Sequence, residues 1–174
     1  MAKKPTQKSK ASSAPNEQKP SLDFTSIVAE RIEIETIRMI SSSCLQSPSI
    51  LIGKHNIQLT NTPRYSVDEE NHQILVLIDF VLKATAAEED PGLSIKATFL
   101  LVYKCSDLSG LEPIHYESFA VFNGVYNAWP YWREFVQSTT SRMGLPLMTL
   151  PVFKPRSEAS KAKKSEKKLR ASKS

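Results

Sequence analysis

At 174 residues the chain fits one domain with tails, and its 40% apolar residues suffice for a single modest core, which excludes a second large domain. The formal net charge of +5 is unevenly distributed: residues 1–20 carry +4 and residues 154–174 carry +7, which leaves −6 for residues 21–153. An acidic body with two basic tails disfavours a nucleic-acid groove in the body and confines any attraction for phosphate to the tails.

The sequence lacks the motifs of a redox, metal-binding or membrane protein. Cys44 and Cys105 stand alone, without the CxxC or His–Cys spacing of a metal site, and we expect buried thiols rather than a disulfide. The lysine-rich start lacks the apolar run of a signal peptide, and no stretch of about 18 apolar residues could span a membrane. We therefore expect a cytoplasmic protein with no membrane insertion, no metal and no cofactor.

The first predicted elements follow an N-terminal tail. Residues 1–21 are rich in Lys, Ser, Pro and Gln and nearly devoid of apolar side chains, which predicts a disordered basic tail. A short helical turn fits residues 23–30. Beyond it, Ile32 and Ile34 alternate with charged residues, which predicts a half-buried strand over about 32–44.

Three more strands are predicted along the chain. Residues 56–62 alternate in polarity, and Pro63 is expected to limit how far that ladder continues. Residues 73–85 form a nearly continuous β-branched run, which predicts a central strand covered on both faces or facing a partner subunit. An acidic turn at 88–92 leads into a fourth strand at 93–104. Four strands with short connections favour a meandering antiparallel sheet.

The last third of the body has helical spacing. A first helix fits residues 115–127, although Gly124 weakens it. Pro130 suits the first turn of a second, amphipathic helix, predicted over 130–143 and ended by a glycine. Aromatic residues at helical spacing are more typical of core or a subunit interface than of ligand contacts. The aromatic residues interpreted in this way are Trp129, Tyr131, Trp132 and Phe135.

The segment 145–153 contains two prolines, so it cannot be helical, yet it is too apolar to be left in water. We predict that it lies extended over the domain or in a groove. Residues 154–174 consist mainly of Lys, Ser, Ala and Glu without an apolar face, which predicts a disordered basic C-terminal tail. The folded domain is therefore predicted over 22–153.

The block from Phe122 to Val152 resembles the signature of the SecB family of export chaperones. In that family an aromatic-Pro-Tyr-Ala/Trp-Arg-Glu helix is followed by a Ser-Arg-x-Gly turn and a Leu-rich stretch that ends in Pro-Val. The corresponding residues of this chain are 129–134, 141–144 and 146–152. With the four predicted strands before the block, the resemblance covers about residues 27–153.

The resemblance implies an α+β, SecB-like fold in which C-terminal helices pack on a four-stranded antiparallel sheet. It implies an ATP-independent chaperone that holds unfolded polypeptide clients in exposed hydrophobic grooves, assembles as a homotetrameric dimer of dimers, and supports protein export through SecA. Some SecB-like relatives instead protect the antitoxin of a toxin–antitoxin module, and that alternative stays open, as does dimer versus tetramer. The basic residues 154–174 depart from the family's usual C-terminal helix and SecA-docking tail.

The same resemblance supplies candidate site residues. Flexible Leu and Met side chains tolerate varied clients, although apolar residues of this kind also form ordinary core. The predicted client-binding residues are Leu108, Leu111, Leu145, Leu147, Met148, Leu150, Val152 and Phe153. A second set, Glu30, Glu33 and Glu35, echoes the acidic residues that SecB presents to SecA, or else forms a plain solvated face.

No catalytic residues are predicted, and we expect no enzyme. The three histidines are scattered, and the five glycines form no phosphate-binding loop. The rival hypothesis is a protein that binds nucleic acid or an acidic surface through its lysine-rich residues 161–170. No aromatic residue interleaves with these lysines, so we expect no specific recognition of nucleic acid.

Overall fold

The computed structural model describes residues 19–51, 55–85 and 91–155. In chain order the elements are α1 (Leu22–Ala29), β1 (Ile32–Gln46), a 3-10 turn (Pro48–Leu51), β2 (Asn56–Asp68), β3 (Gln73–Thr85), β4 (Pro91–Cys105), α2 (Pro113–Phe119), a π-helical segment (Ala120–Gly124) and α3 (Val125–Arg142). Most of the two predicted tails (1–18 of 1–21 and 156–174 of 154–174) and most of the acidic turn at 88–92 fall outside the described residues, so those expectations stay predictions.

The four described strands form one antiparallel sheet in the order β1-β4-β3-β2. The predicted α+β class with a four-stranded antiparallel sheet is therefore confirmed. The predicted meander is wrong for β1, which pairs with β4, placing Ile37 opposite Leu101. Only β2, β3 and β4 pair in chain order. Local alternation identifies a strand but does not specify its neighbour, which is why the sequence did not place β1 at the far edge.

Strand β2 also runs further than expected. The prediction that Pro63 would limit the ladder is wrong, because β2 continues to Asp68 with Pro63 opposite Ile78. Since β2 is an edge strand with one paired side, a proline can be accommodated there without breaking a ladder hydrogen bond. The other three strand predictions agree with the structure to within about two residues at each end.

The two predicted helices are one continuous helical run from Pro113 to Arg142, which passes through the π-helical segment. Gly124 does not end this run. It lies against the sheet, where an added Cβ would sit 2.9 Å from Val76 Cγ1, so glycine permits close approach of helix and sheet. Pro130 lies inside α3 rather than in the first turn of a new helix. Burial of the aromatic residues around it offsets the hydrogen bond that a proline removes.

The core lies between the helical run and one face of the sheet. The inward side chains of β3 are fully buried: Ile74, Val76, Ile78, Phe80 and Leu82. The intervening side chains, such as Leu75 and Leu77, are half-buried, so the outer face of the sheet is only partly shielded in a single chain. Trp132 stacks on Phe80 with ring centroids 5.3 Å apart and is fully buried, which agrees with its interpretation as core.

Candidate functional site

The segment after α3 reverses direction and lies back along the helix. Gly144 makes the reversal with φ of +71°, a left-handed conformation that favours glycine. The amide of Leu145 still donates to the Thr140 carbonyl at 3.0 Å, after which residues 145–155 form neither helix nor strand. We call residues 145–155 the strap. Its extended course over the domain agrees with the prediction made from its prolines.

Two side chains of α3 hold the strap by its backbone. The indole Nε1–H of Trp129 donates to the Pro151 carbonyl at 2.8 Å, and the Nε–H of Arg133 donates to the Leu150 carbonyl at 2.8 Å. Residues 129 and 133 lie one turn apart on the same helix face, so they reach two successive carbonyls. The ring of Phe153 also packs against Trp129, with centroids 5.4 Å apart.

The predicted client-binding residues of the strap differ in accessibility. Leu147 is 64% exposed and Val152 is 63% exposed, so both side chains are open to solvent. Leu150 is only 5% exposed and belongs to the core. The other three strap residues are half-buried: Leu145, Met148 and Phe153. The strap therefore offers an apolar outer edge and is anchored from beneath.

A shallow groove of about 540 Å³ runs between the strap and the outer face of α3. One wall is formed by a helical stripe that includes Pro130, Glu134, Gln137 and Ser141, and Leu147 stands on the other side. Five of its seven lining residues are polar or charged, yet apolar atoms contribute more than half of the exposed lining surface. The groove can therefore offer an extended chain both hydrogen-bond partners and apolar contact.

The other two predicted client-binding residues lie elsewhere. Leu108 and Leu111 are half-buried in the connection between β4 and α2, which is also held by a hydrogen bond from Arg31 Nη1 to the Ser109 carbonyl at 2.8 Å. From Pro113 to Trp129, where the strap is attached, the helical run rises by about 24 Å. In a single chain, Leu108 and Leu111 are therefore separated from the strap along the helical run, and their part in client binding stays a prediction.

The predicted partner-binding carboxylates lie at the start of β1. Glu30, Glu33 and Glu35 are exposed, and Glu35 Oε2 accepts a hydrogen bond from Gln73 Nε2 at 2.7 Å. Glu30 and Glu33 also line a depression of about 380 Å³ together with Arg31 and Lys104, whose positive charges offset part of the acidity. The geometry suits either a partner contact or a solvated edge.

Strand β1 carries an uncovered apolar strip that the sequence pattern did not predict. Ile34 and Met39 lie opposite Tyr103 and Phe99 of β4, on the face of the sheet that forms the core. Both are exposed, Met39 at 46%, because the helical run does not extend over this edge. The register shift between Met39 and Ser41 leaves Ile40 without a partner position on β4, and its side chain is 51% exposed. The density of apolar residues in 37–40 was the available signal, but it could not reveal which strand would lack a cover.

Tyr103 of β4 is a buried titratable residue whose hydroxyl faces α3. Burial raises the pKa of Tyr103 to about 12, and its hydroxyl accepts a hydrogen bond from Asn127 Nδ2 at 3.0 Å, which lowers that pKa slightly. Such a group stays protonated throughout the physiological range. Within residues 19–51, 55–85 and 91–155, no cluster of His, Cys, Asp and Glu could hold a metal ion. Over the same ranges, no helix is both long enough and apolar enough to cross a bilayer.

On the outer face of the sheet, Asp79 joins two neighbouring strands. Its carboxylate accepts a hydrogen bond from Arg64 Nη2 at 2.6 Å and another from Thr98 Oγ1 at 2.7 Å. Both partners are exposed or half-buried. This arrangement is a surface ion pair with a supporting hydroxyl, and it fixes the sheet without supplying a reactive group.

Comparison with known proteins identifies the fold. No family model matches the sequence, and no curated protein matches it. Among solved structures, the chain is similar to the Mycobacterium tuberculosis Rv1957 SecB-like chaperone in complex with a ChAD peptide from the Rv1956 HigA1 antitoxin, with a TM-score of 0.65 and 20% identity over 76% of this chain and 94% of that one. A protein of unknown function from Streptococcus agalactiae aligns with a TM-score of 0.41 and 13% identity over 69% of this chain and 96% of that one. The first comparison shows that this chain has a SecB-like fold, as the resemblance implied.

Proposed function

We propose that this protein is an ATP-independent chaperone that binds non-native polypeptide on exposed apolar surface. The observation that carries the proposal is the pair of apolar strips that this SecB-like fold leaves open, one on β1 and one along the strap. A client without fixed structure offers no shape to match, so accessible Met, Ile and Leu side chains beside extended backbone suit its capture.

Suppression of aggregation tests this proposal. An unfolded test protein is diluted with and without this protein, and light scattering is followed at stoichiometric amounts. We expect suppression by the wild type and a weaker effect from Met39→Ser with Ile40→Ser, because that double change removes two of the three exposed apolar side chains of the β1 strip. Gln58→Ser on the exposed edge strand β2 is the matched control. Failure of the wild type to suppress aggregation contradicts the proposal.

We also propose that the β1 strip mediates self-association, in line with the expected dimer of dimers. Apolar side chains on the core face of an edge strand, with no helix over them, are suited to cover by a second copy. Native mass measured on the wild type and on Met39→Glu tests this. A monomeric wild type rules the assembly out. In that case, weaker suppression of aggregation by Met39→Glu than by the wild type would show that the strip binds clients only.

Two client classes compete within this proposal. The solved neighbour holds a peptide of an antitoxin, which favours protection of an antitoxin as the role of this chain. The export role implied by the resemblance requires delivery to SecA, for which the exposed glutamates of β1 are the candidate contact. Competition between an antitoxin peptide and an unfolded secretory precursor for this protein separates the two roles. Stronger retention of the precursor than of the antitoxin peptide, together with SecA binding that is lost in Glu33→Lys, supports a cytoplasmic chaperone of protein export.

A further inference from the structure

The strap is attached to α3 by side-chain hydrogen bonds instead of backbone hydrogen bonds. Beyond Leu145, no backbone group of the strap is bonded to the backbone of another described residue. Its polar attachments are the two side-chain donors already described, from Trp129 and Arg133. The strap is therefore bound to the helix as a separate peptide would be, by side chains that address its carbonyls.

These donors recognise features that any extended polypeptide possesses. Every polypeptide has successive backbone carbonyls. The indole N–H of Trp129 and the guanidinium N–H of Arg133, one helical turn apart, therefore bind the backbone of a chain irrespective of its side chains. Pro151 has no N–H, so the strap offers a carbonyl at this point without leaving a donor unpaired. Selectivity comes from two side chains: Leu150, which is buried beneath, and Phe153, whose ring packs on Trp129.

The seat beneath the strap is apolar and aromatic. Trp129 is nearly buried and contacts both Phe80 of the core and Phe153 of the strap. Arg133 is half-buried and lines the groove beside the strap. Departure of the strap would uncover Trp129 and leave both donors without acceptors, so the vacated seat would favour another extended chain.

We propose that the Trp129–Arg133 seat on α3 is a peptide-binding site, occupied in the free protein by the strap and opened when an extended client segment displaces it. The fitting segment carries a leucine three residues before an aromatic residue, and the carbonyls of the leucine and of the residue after it are free to accept. This inference rests on the proposed chaperone function, whose clients would supply the segment. It differs from the sequence prediction in placing the client on Trp129 and Arg133 of α3, whereas the predicted client-binding residues included those of the strap itself.

Fluorescence anisotropy of a labelled synthetic peptide, residues 145–155, tests the proposal on the full-length protein. We expect weak binding to the wild type, where the strap competes, and binding tighter by about tenfold or more in Leu150→Ala with Phe153→Ala, where it is weakened. Thr149→Ala, an exposed strap residue, should bind like the wild type. A peptide with serine in place of Leu150 and Phe153 should bind to none of these proteins.

Substitution of Arg133, one of the two donors of the seat, tests whether the peptide binds there. Arg133→Ala, added to the weakened strap, should lose the gained affinity, and Arg133→Lys should restore part of it because lysine can donate to the same carbonyl. Equal binding by the wild type and the weakened strap, or equal binding of the serine peptide, overturns the proposal. Should the double variant not fold by circular dichroism, Phe153→Ala alone provides the same comparison.

The readout also separates this site from the proposed function. Peptide binding is measured without a client. A gain in peptide affinity in the weakened strap variant, with no suppression of aggregation by the wild type, contradicts the chaperone function and supports the peptide-binding site. Suppression of aggregation without a gain in peptide affinity supports the chaperone function and contradicts the site.

Discussion

Replacement of Gly124 by alanine tests whether the π-helical segment lies on the sheet as closely as described. The new Cβ would sit 2.9 Å from Val76 Cγ1, and Val76 Cβ and Ile78 Cδ1 would lie 3.7 and 3.8 Å away. Overpacking of this kind costs about 1–3 kcal/mol. Alanine in place of glycine within a helix returns about 1 kcal/mol. We therefore expect Gly124→Ala to lower the free energy of unfolding by up to about 2 kcal/mol.

The sharper test combines this change with Val76→Ala. Val76→Ala alone removes two buried methyl groups and should cost about 1–3 kcal/mol. In the double variant the shortened side chain leaves room for the new Cβ, so the loss should be smaller than the sum of the single losses by about 1–3 kcal/mol. Urea unfolding followed by circular dichroism, at one protein concentration for all variants, measures this coupling.

Gly144→Ala is the matched control for this cycle. Gly144 has a positive φ and no atom within 4 Å of an added Cβ, so its replacement strains the backbone without any contact to Val76. Its effect should add to that of Val76→Ala within about 0.5 kcal/mol. Additive behaviour of Gly124→Ala and Val76→Ala to the same precision would refute the close approach of helix and sheet.

Three further predictions concern the strap, the core and the tail. Leu150→Ala should lower the free energy of unfolding by about 2–5 kcal/mol, and Leu147→Ala should change it by less than about 0.5 kcal/mol; equal losses in urea melts would contradict the difference in burial. Because folding raises the pKa of Tyr103 from 10.0 to about 12, the stability it provides is complete below pH 10 and is lost as pH rises towards 12. Melts at pH 9 and pH 11 should therefore differ more for the wild type than for Tyr103→Phe. Deletion of residues 154–174 should leave suppression of aggregation intact, and its loss would locate the function in the basic tail.

Periodicity in the sequence was enough to predict four strands and an antiparallel sheet, but not the order in which the strands pair. Alternation at Ile32 and Ile34 and the apolar run at 73–85 are local signals, since each strand must bury one face. The pairing of β1 with β4 depends on contacts between residues such as Ile32 and Cys105, which are far apart in the chain. The sequence predicted two helices that meet after Asn127, because Gly124 and Pro130 both have low helix propensity. In the structure, the packing around these residues keeps the helical run continuous.

The candidate site was predicted in composition but not in arrangement. The prolines and leucines of residues 145–153 correctly indicated an extended apolar segment. Burial of Leu150 beside exposure of Leu147 could not be predicted, because it depends on which carbonyls Trp129 and Arg133 reach. Exposure of Met39 could not be predicted either, because it follows from the length of helix that covers the sheet rather than from β1 itself.

The position of β1 has a consequence for how the chain folds during synthesis. Its partner β4 ends at Cys105, so β1 leaves the ribosome long before the strand that completes its hydrogen bonds exists. Strands β2, β3 and β4 can zip together as neighbours, whereas closing the loop from β1 to β4 is entropically slower. In pulse-labelling hydrogen exchange we expect the β1 amides to become protected last, and earlier protection of β1 than of β3 would contradict this order. During its own synthesis, this proposed chaperone would therefore expose an unpaired apolar strand of the kind that it is proposed to bind in other proteins.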